Sequence, residues 1–281
     1  MRSIGRILVV GLLALQAASQ QVPEVGHAKL YTYGELLKQH NIPLTQSALV
    51  IALKNADADV RYLAAMKLAE DKRVEEVPAI REALAAETVS RDRVNMALAL
   101  GLLGDESGVT ELKKTYADAN VIPEFRLYAI RYVLDLGAPN QGDCLTAAQD
   151  IGQSEETPIS DRITALQLLA QFRGIRAEES ERSLQVLEKS LQDKEPVIRM
   201  SASNTLARLG NPSSVASLIA AIGKEKDESV RTVFEADLTK LQGNVPPSQA
   251  PLPGWCAGRL SVATFEFRVC VMAEGPPGIM A

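Results

Sequence analysis

Few residues in this chain of 281 combine the types and the spacing that chemistry requires. Its two histidines, His27 and His40, both precede the repeated part of the sequence. A histidine-rich zinc site is therefore excluded, and a Ser-His-Asp triad would need a histidine from outside the repeats. Cys144 falls in a helical pattern, where a small buried residue is expected. Cys256 and Cys270 could pair with each other, but three cysteines do not make a disulfide framework.

Adjacent glutamates are the next candidates, since two carboxylates can share acid–base work. The pairs are Glu75-Glu76, Glu155-Glu156 and Glu178-Glu179, and each stands at a predicted helix start or loop. Negative side chains there interact favourably with the positive end of the helix dipole. A solvated, helix-starting role is therefore favoured over catalysis. No Gly-rich phosphate loop follows a strand, and the sequence predicts no catalytic site, no metal site and no cofactor.

One arginine recurs at the same place in a repeated motif, at spacings of 32, 33, 36, 37 and 32 residues. The six copies are Arg61, Arg93, Arg126, Arg162, Arg199 and Arg231. An aliphatic residue stands seven positions later in each copy, and an acid or asparagine stands six positions earlier. The latter are Asn55, Glu87, Asn120, Glu156, Asp193 and Glu225. A fixed period of this length is typical of a solenoid of stacked units.

Each unit between Leu44 and Gly243 predicts two helices, of which the second starts near the recurring arginine. Glycine ends the second helix in five of the six units, where it can supply the left-handed residue that closes a helix. These glycines are Gly104, Gly137, Gly174, Gly210 and Gly243. Lys72 stands at this place in the first unit, so we expect a different turn there.

The second helices have two distinct faces when the six copies are averaged, counting from the arginine at about 100° per residue. Positions +3, +4, +7, +8 and +10 are mostly apolar or small and predict the packing face. Positions +2, +5 and +9 vary from copy to copy. This varied face is free to carry binding specificity, or to be an ordinary wetted surface.

The repeats resemble the HEAT repeat, an armadillo-type helical hairpin. The matching features are the acid or asparagine, a hydrophobe–Arg pair such as Ile198-Arg199, an alanine-rich middle and the closing glycine. Asp92 and Asp161 replace the hydrophobe in the second and fourth units. The short period is similar to that of phycobilin-lyase-like repeats. The resemblance implies an all-α, right-handed α-α superhelix of about six two-helix repeats over residues 44–243. It also implies a hydrogen-bond ladder between acids and arginines, such as Asp193 with Arg199, and a concave face lined by the second helices.

The varied face of the third to fifth repeats is the candidate partner-binding surface, because Tyr and Arg most often anchor protein interfaces. Its residues are Tyr128, Arg131, Tyr132, Asp135, Gln167, Gln171, Asn204 and Arg208. We therefore predict a non-catalytic protein-binding or scaffolding module whose partner is another protein. The net charge of −5 argues against nucleic acid. The alternatives are a phycobilin-lyase-like or chaperone-like protein that acts on a partner protein, and a structural spacer in an envelope assembly.

Residues 1–19 have the pattern of a secretory signal peptide. Arg2 and Arg6 precede the apolar run Ile7–Leu15, and Ala17-Ala18-Ser19 offers a cleavage site. The run is too short to span a bilayer, which needs about 20 residues. We expect an exported protein, periplasmic or extracellular, without a membrane span after cleavage.

The remaining segments flank the repeats. Residues 20–43 predict a lead-in with a short capping helix at Tyr33–Gln39, and residues 244–258 contain four prolines and predict a semi-stiff linker. Residues 259–281 form a tail in which 259–272 alternate like a strand. Such a strand would dock on the solenoid, join another protein's sheet or stay disordered.

Overall fold

The computed structural model describes residues 30–139, 141–172, 175–243 and 269–270. The helices of these residues are α1 (Tyr33–Gln39), α2 (Gln46–Ala52), α3 (Ala58–Glu70), α4 (Val77–Ala86), α5 (Ser90–Leu102), α6 (Glu106–Ala117), α7 (Pro123–Asp135), α8 (Gly142–Gln153), α9 (Ile159–Leu168), α10 (Ala177–Ser190), α11 (Pro196–Leu209), α12 (Ser214–Lys224) and α13 (Glu228–Gln242). Short 3-10 turns occupy Val74–Glu76 and Leu169–Gln171. Helices α2 to α13 pair in sequence into six units, which confirms the predicted all-α solenoid.

Polar caps and prolines set where these helices begin. Thr32 and Glu35 form a reciprocal capping box at the start of α1, the capping helix predicted at these residues. Asp57 and Asp227 accept hydrogen bonds from the first-turn N–H groups of α3 and α13. Helices α4, α7 and α11 have proline in the first turn instead, where the missing N–H costs nothing.

A left-handed residue closes several second helices, as the glycine pattern predicts. Gly104, Gly137 and Gly210 have φ of 80°, 62° and 67°. The prediction of a different turn at Lys72 is wrong, because Lys72 is also left-handed, with φ of 56°. The Arg73 N–H donates to the Leu68 carbonyl at 2.9 Å. At Gly104, the Asp105 N–H donates to the Leu100 carbonyl at the same distance. These backbone bonds hold the turn whichever residue occupies it.

Two further closing glycines differ from this pattern. Gly243 has φ of −78° and is not left-handed, although glycine was predicted to play that role there. Gly174 lies outside the described residues.

The core lies between the two helix layers and follows the predicted packing face. Position +3 is buried in every repeat, and its residues are Ala64, Met96, Ala129, Ala165, Ala202 and Phe234. Position +6, which the wheel left unassigned, is buried in four repeats, at Ala99, Leu168, Thr205 and Asp237. It is the position that meets the preceding second helix. Gly108 lets α6 approach α5 closely, because a Cβ there would lie 2.3 Å from the Ala97 carbonyl oxygen.

The second helices pack on one another more closely than the first helices do, most of all α3 with α5 and α11 with α9 and α13. We call the side of the stack that the second helices form its inner side, after the concave face that the resemblance implies. Helix α7 is the exception and approaches α5 and α9 less closely. At the start of the stack α1 packs on α3, where Leu63 and Met66 are buried. The varied face is thus not free in the first repeat, contrary to its periodicity.

The ends of the chain are described only in part. Strand β1 (Leu30–Tyr31) pairs antiparallel with β2 (Val269–Cys270), with Leu30 opposite Cys270. The predicted signal peptide, the linker over 244–258 and the rest of the tail lie outside the described residues. Cys256 does too, so its pairing with Cys270 stays a prediction, whereas Cys144 is buried. In the described part, no helix has both the length and the hydropathy needed to cross a membrane.

Candidate partner-binding surface

The recurring arginines form a ladder at the edge where first and second helices meet. Within a repeat, Nη1 of Arg199 donates to the Asp193 carbonyl at 2.9 Å. Between repeats, Nε of Arg199 donates to Glu225 at 2.7 Å, and Arg162 reaches the Asp193 carboxylate. The ladder implied by the resemblance is therefore present. Its rungs between repeats join Arg61 to Glu87, Arg162 to Asp193 and Arg199 to Glu225. The expected pairing of Arg199 with Asp193 uses the backbone carbonyl of Asp193, while its carboxylate pairs with Arg162.

The acids of these rungs also hold the loop that follows them. Glu87 accepts Nε of Arg61 at 2.8 Å and the N–H groups of Thr88 and Val89 at 2.8 and 2.9 Å. Burial raises the pKa of Glu87, but these hydrogen bonds outweigh it and hold the pKa below its ordinary value. Because backbone and side-chain acceptors occupy their guanidinium groups, the arginines are structural and not a free anion-binding row.

The ladder is interrupted around α7. Arg93 pairs with Glu111 of α6, because Asn120 of the next repeat carries no charge. Arg126 donates to the Tyr116 carbonyl at 2.9 Å, and no ion pair involving it is seen among the described residues. The same stretch is where the second helices lie farther apart. The repeats to either side are thus joined less firmly through α7.

Tyr128 and Tyr132 lie on the inner face of α7 and fill the space beside it. Their rings stack with centroids 6.5 Å apart, and Phe125 lies 6.2 Å from Tyr128. The Tyr132 hydroxyl donates to Oδ1 of Asn95 on α5 at 3.0 Å. Tyr132 occupies position +6, where other repeats have residues as small as Ala99. Its bulk accounts for the wider spacing of α5 and α7.

Arg131 and Asp135 form an ion pair on the same helix, with Nε 3.1 Å from both carboxylate oxygens. The Arg131 side chain is 42% exposed and that of Asp135 21%. Burial raises the pKa of Asp135, and Arg131 offsets this only in part. The guanidinium retains donors that can reach a partner.

The other predicted residues continue the inner face away from α7. Gln167 lies on α9, Gln171 in the 3-10 turn that follows, and Asn204 and Arg208 on α11. All four are partly buried. On α7, by contrast, Tyr128 stacks on Tyr132 and Arg131 pairs with Asp135. The structure therefore brings together the predicted residues of α7 and leaves these four as a separate stretch.

Sequence reasoning missed several residues beside the α7 tyrosines. The Tyr128 hydroxyl donates to Oε1 of Glu124 at 3.0 Å. Asp161, at the start of α9, is near enough that Glu124 raises its pKa further, after burial. Glu124 occupies position −2, which the wheel places on the varied face. Extending the wheel to positions before the arginine would have found it.

Two more tyrosines extend this aromatic surface toward the start of the stack. Tyr33 of α1 and Tyr62 of α3 are buried enough that desolvation raises the pKa of both, that of Tyr62 to about 12. Tyr132 and Tyr62 each contribute to the raised pKa of Tyr33. We call Tyr33, Tyr62, Tyr128 and Tyr132 the tyrosine surface. Its four phenols are neutral at physiological pH.

Arg91 covers Tyr62 and is held there by two carboxylates. Its guanidinium lies 5.4 Å from the ring centroid, Nε donates to Asp92 at 2.8 Å, and Nη2 reaches Asp59. Asp92 is fully buried, and its other oxygen, Oδ2, has no hydrogen-bond partner within the described structure. Burial raises the pKa of Asp92, and the Arg91 hydrogen bond offsets the rise only in part.

No group of three or more His, Cys, Asp and Glu is placed to hold a metal ion within the described ranges. His40 follows α1, and its Nδ1 lies 3.4 Å from Asp57 at the surface. Among the described residues, the groups that the tyrosine surface and its neighbours offer to a partner are aromatic rings, hydroxyl groups and carboxylates.

Residues 153–238 match the family model for HEAT repeats. This segment contains HEAT repeats. The match runs from the end of α8 through most of α13 and so includes the ladder rungs of Arg162 and Arg199. The predicted recognition of HEAT repeats is confirmed there. No curated protein matches the chain in sequence.

Two solved structures are similar at low sequence identity. One is the complex of CpcE and CpcF of phycocyanin lyase from Nostoc sp. PCC7120, at 22% identity, covering 71% of this chain and 89% of that chain with a TM-score of 0.33. The other is human deoxyhypusine hydroxylase in complex with glycerol, at 18% identity, covering 70% and 84% with a TM-score of 0.26. These TM-scores are too low to relate the candidate surface to a site in either structure.

Proposed function

We propose that this protein is a non-catalytic binding module that holds a partner protein on the inner face of its HEAT-like solenoid. The observation that carries the proposal is the stacked pair Tyr128 and Tyr132, partly exposed on α7. Partly exposed tyrosines are ordered here by stacking and by hydrogen bonds to Glu124 and Asn95. Such side chains lose little conformational freedom on binding and are favoured at interface hot spots.

The inner face suits a partner that contacts several repeats at once. The partly exposed Tyr62 belongs to α3, and Tyr128 and Tyr132 belong to α7, so one extended partner segment would touch separate elements of the stack, with the buried Tyr33 beneath it. The rung between Arg61 and Glu87 joins α3 to the next repeat, and the Tyr132–Asn95 hydrogen bond joins α5 to α7. Binding then requires no reaction and no cofactor, only a surface whose shape is fixed in advance.

The test is capture of a partner by the wild-type chain and by the variant Tyr128→Ala/Arg131→Ala. We expect one protein to be retained by the wild type and lost by the variant, because both anchors are removed from the inner face. Lys114→Ala/Arg182→Ala is the matched control, since it removes two exposed cations from the outer helices α6 and α10. Circular dichroism checks that both variants fold. Equal retention by all three proteins would reject the inner face as the binding site.

We further propose that the module acts after export, as the pattern of residues 1–19 indicates. The test expresses the full chain and determines the N-terminus of the exported form by mass spectrometry. A chain beginning at Gln20 is expected. A variant with Leu12→Lys and Leu13→Lys should remain in the cell, because the apolar run is broken. Export of that variant at the wild-type level would contradict this proposal.

A further inference from the structure

Arg91 shows how this solenoid holds a guanidinium group. The cation lies over the Tyr62 ring, and carboxylates from two neighbouring repeats, Asp59 and Asp92, accept its N–H groups. An aromatic face with two carboxylates is favourable for arginine, because cation–π attraction and charge-assisted hydrogen bonds act on the same planar group.

The same three groups recur at α7 and α9 without the cation. Tyr128 is hydrogen-bonded to Glu124 of its own helix, and Asp161 of the next repeat adds the second carboxylate. No ion pair in the described structure joins Glu124 or Asp161 to a cation. Glu124 is exposed, and Asp161 and the Tyr128 ring are partly exposed. We call Glu124, Tyr128 and Asp161 the α7 notch.

Charge around the rest of the tyrosine surface favours the same kind of occupant. The carboxylates that act electrostatically on the four phenols are Asp57, Asp59, Glu70, Asp92, Glu124, Asp135 and Asp161. The cations that act on them are Arg91 and Arg131, each already paired with a carboxylate. Lys67 likewise pairs with Glu70, so the charge left without an ion pair is that of Glu124 and Asp161, and it would draw in a positively charged segment.

Asp161 is partly buried, so its unpaired negative charge is more costly than it would be in water. Burial and the nearby Glu124 raise the pKa of Asp161, which means that its ionised form lacks a favourable partner in this state. A cation placed between the two carboxylates would remove that penalty. The notch is thus more favourable to a cation than an exposed surface carboxylate would be.

We propose that the partner binds through a basic segment and places an arginine side chain in the α7 notch, over Tyr128 and between Glu124 and Asp161. This rests on the proposed function and specifies the chemistry of the partner. The arginine would occupy at α7 the place that Arg91 occupies over Tyr62. Other basic residues of the segment would lie along the tyrosine surface toward α3.

The experiment selects binders from a library of random 12-residue displayed peptides on the full chain, and measures individual peptides by fluorescence polarisation. We expect selected peptides to carry arginine. The variant Glu124→Gln/Asp161→Asn should weaken their binding about tenfold, because it removes the charge-assisted hydrogen bonds and leaves the Tyr128 ring in place. Replacing the critical arginine of a peptide by glutamine should cost at least as much, because it also removes the cation–π contact, and the two losses should not add.

The matched control is Glu178→Gln/Glu181→Gln, which removes two exposed carboxylates from α10 on the outer layer. It changes the net charge equally, so unchanged affinity would assign the effect to the notch and not to the charge of the whole protein. Both pairs of substitutions are nearly isosteric and leave the core intact.

The outcomes separate the two proposals. Peptides that lose affinity with Tyr128→Ala but need no basic residue would overturn the arginine occupant and leave the inner-face binding module standing. Peptides that bind all inner-face variants as they bind the wild type would overturn both. A selection that yields no peptide at all would also overturn both.

Discussion

Lys72 holds a backbone conformation that ordinarily belongs to glycine. Its φ of 56° matches that of the glycines that close other second helices, and a side chain there costs about 1–2 kcal/mol. We therefore predict that Lys72→Gly raises the free energy of unfolding by about 0.5–1 kcal/mol, after the greater entropy of glycine in the unfolded chain is counted. Urea denaturation measures it.

Two companion substitutions identify the cause. Lys72→Ala keeps the Cβ and should change stability little, whereas Gly104→Ala should cost about 1 kcal/mol. No atom lies within 4 Å of a Cβ built on Gly104, so that cost would be conformational and not steric. A stability gain for Lys72→Ala equal to that for Lys72→Gly would show that the lysine side chain, and not its φ, is unfavourable.

Asp92 is a buried carboxylate whose charge opposes folding. Because its pKa is raised in the fold, its ionised form is disfavoured there, and the wild type loses stability as pH rises through that pKa. Asp92→Asn should therefore gain about 1 kcal/mol at pH 7. The gain should vanish as pH falls below about 3.9, the ordinary pKa of aspartate. Thermal unfolding at several pH values checks it.

The control for Asp92 is Asp143→Asn, which makes the same change in the exposed first turn of α8. It should cost about 0.3–1 kcal/mol at most at pH 7, because it loses only a favourable interaction with the helix dipole. A gain for Asp92→Asn that is equally large at pH 3 would contradict the electrostatic explanation.

At the scale of the helical hairpin, each ladder rung joins two repeats through a buried carboxylate. Glu87 has no exposed side-chain surface, so Glu87→Gln should cost about 1.5–3 kcal/mol at pH 7. Its folded pKa is lowered, so its stabilisation is present above the unfolded value of about 4.3 and is lost as pH falls through the folded pKa. The wild-type advantage over Glu87→Gln should shrink over that range.

Glu155→Gln is the matched surface change, because Glu155 pairs with Lys194 but is 73% exposed. It should cost much less than Glu87→Gln, because an exposed ion pair adds little to stability. Equal costs for the two substitutions would mean that the ladder acts as an ordinary surface ion pair. Chemical denaturation from pH 3 to pH 7 compares them.

The hairpins could be predicted from the sequence because the same motif occurs six times. Comparing the six copies separates the residues that the fold requires from those that vary. The same comparison hid what is particular to one copy. Tyr132 stands at position +6, where other repeats have residues as different as Ala99 and Leu168, and only its contact with Asn95 shows that it lies between α7 and α5. The rung between Arg162 and Asp193 likewise crosses repeats, and spacing within one repeat could not give its direction.

At the scale of the whole stack, the interruption at α7 should divide stability into two parts. Leu206 is fully buried in α11, and Leu206→Ala should cost about 2–5 kcal/mol. Because a repeat stack is stabilised by neighbour contacts, hydrogen exchange should quicken in α9 to α13 and stay unchanged in α3 and α5. Mass spectrometry of exchanged peptides measures both.

The reciprocal variant is Leu100→Ala in α5, which should quicken exchange in α3 to α6 and spare α11 to α13. Uniform quickening along the stack by either variant would show that α7 couples the two parts fully. Normal exchange in α11 after Leu206→Ala would show that the helix register assigned to that repeat is wrong.

The candidate surface was predictable only where its residue types are distinctive. Tyr128, Arg131 and Asp135 fall on the varied face of one helix, so the wheel places them together, and Tyr132 directly follows Arg131 in the sequence. Asp161 lies on another helix, and its relation to Glu124 depends on how repeats stack. Leu63 and Met66 show the converse, since periodicity places them on the free face but α1 packs on α3.

The direction of the rungs has a consequence for how such a protein can change length over evolutionary time. Arg162 meets Asp193, and Arg199 meets Glu225, each across a junction of the same chemistry. A tandem duplication of the hairpin α10–α11 would place the first copy's Arg199 against the second copy's Asp193, with the second Arg199 against Glu225. The one new junction, between the two copies, would pair an arginine with an acid as the existing junctions do. The arginine of α7 makes no such rung, so a duplication there would not form matching junctions. We therefore expect related proteins to gain or lose hairpins after α7 and to retain α7 itself.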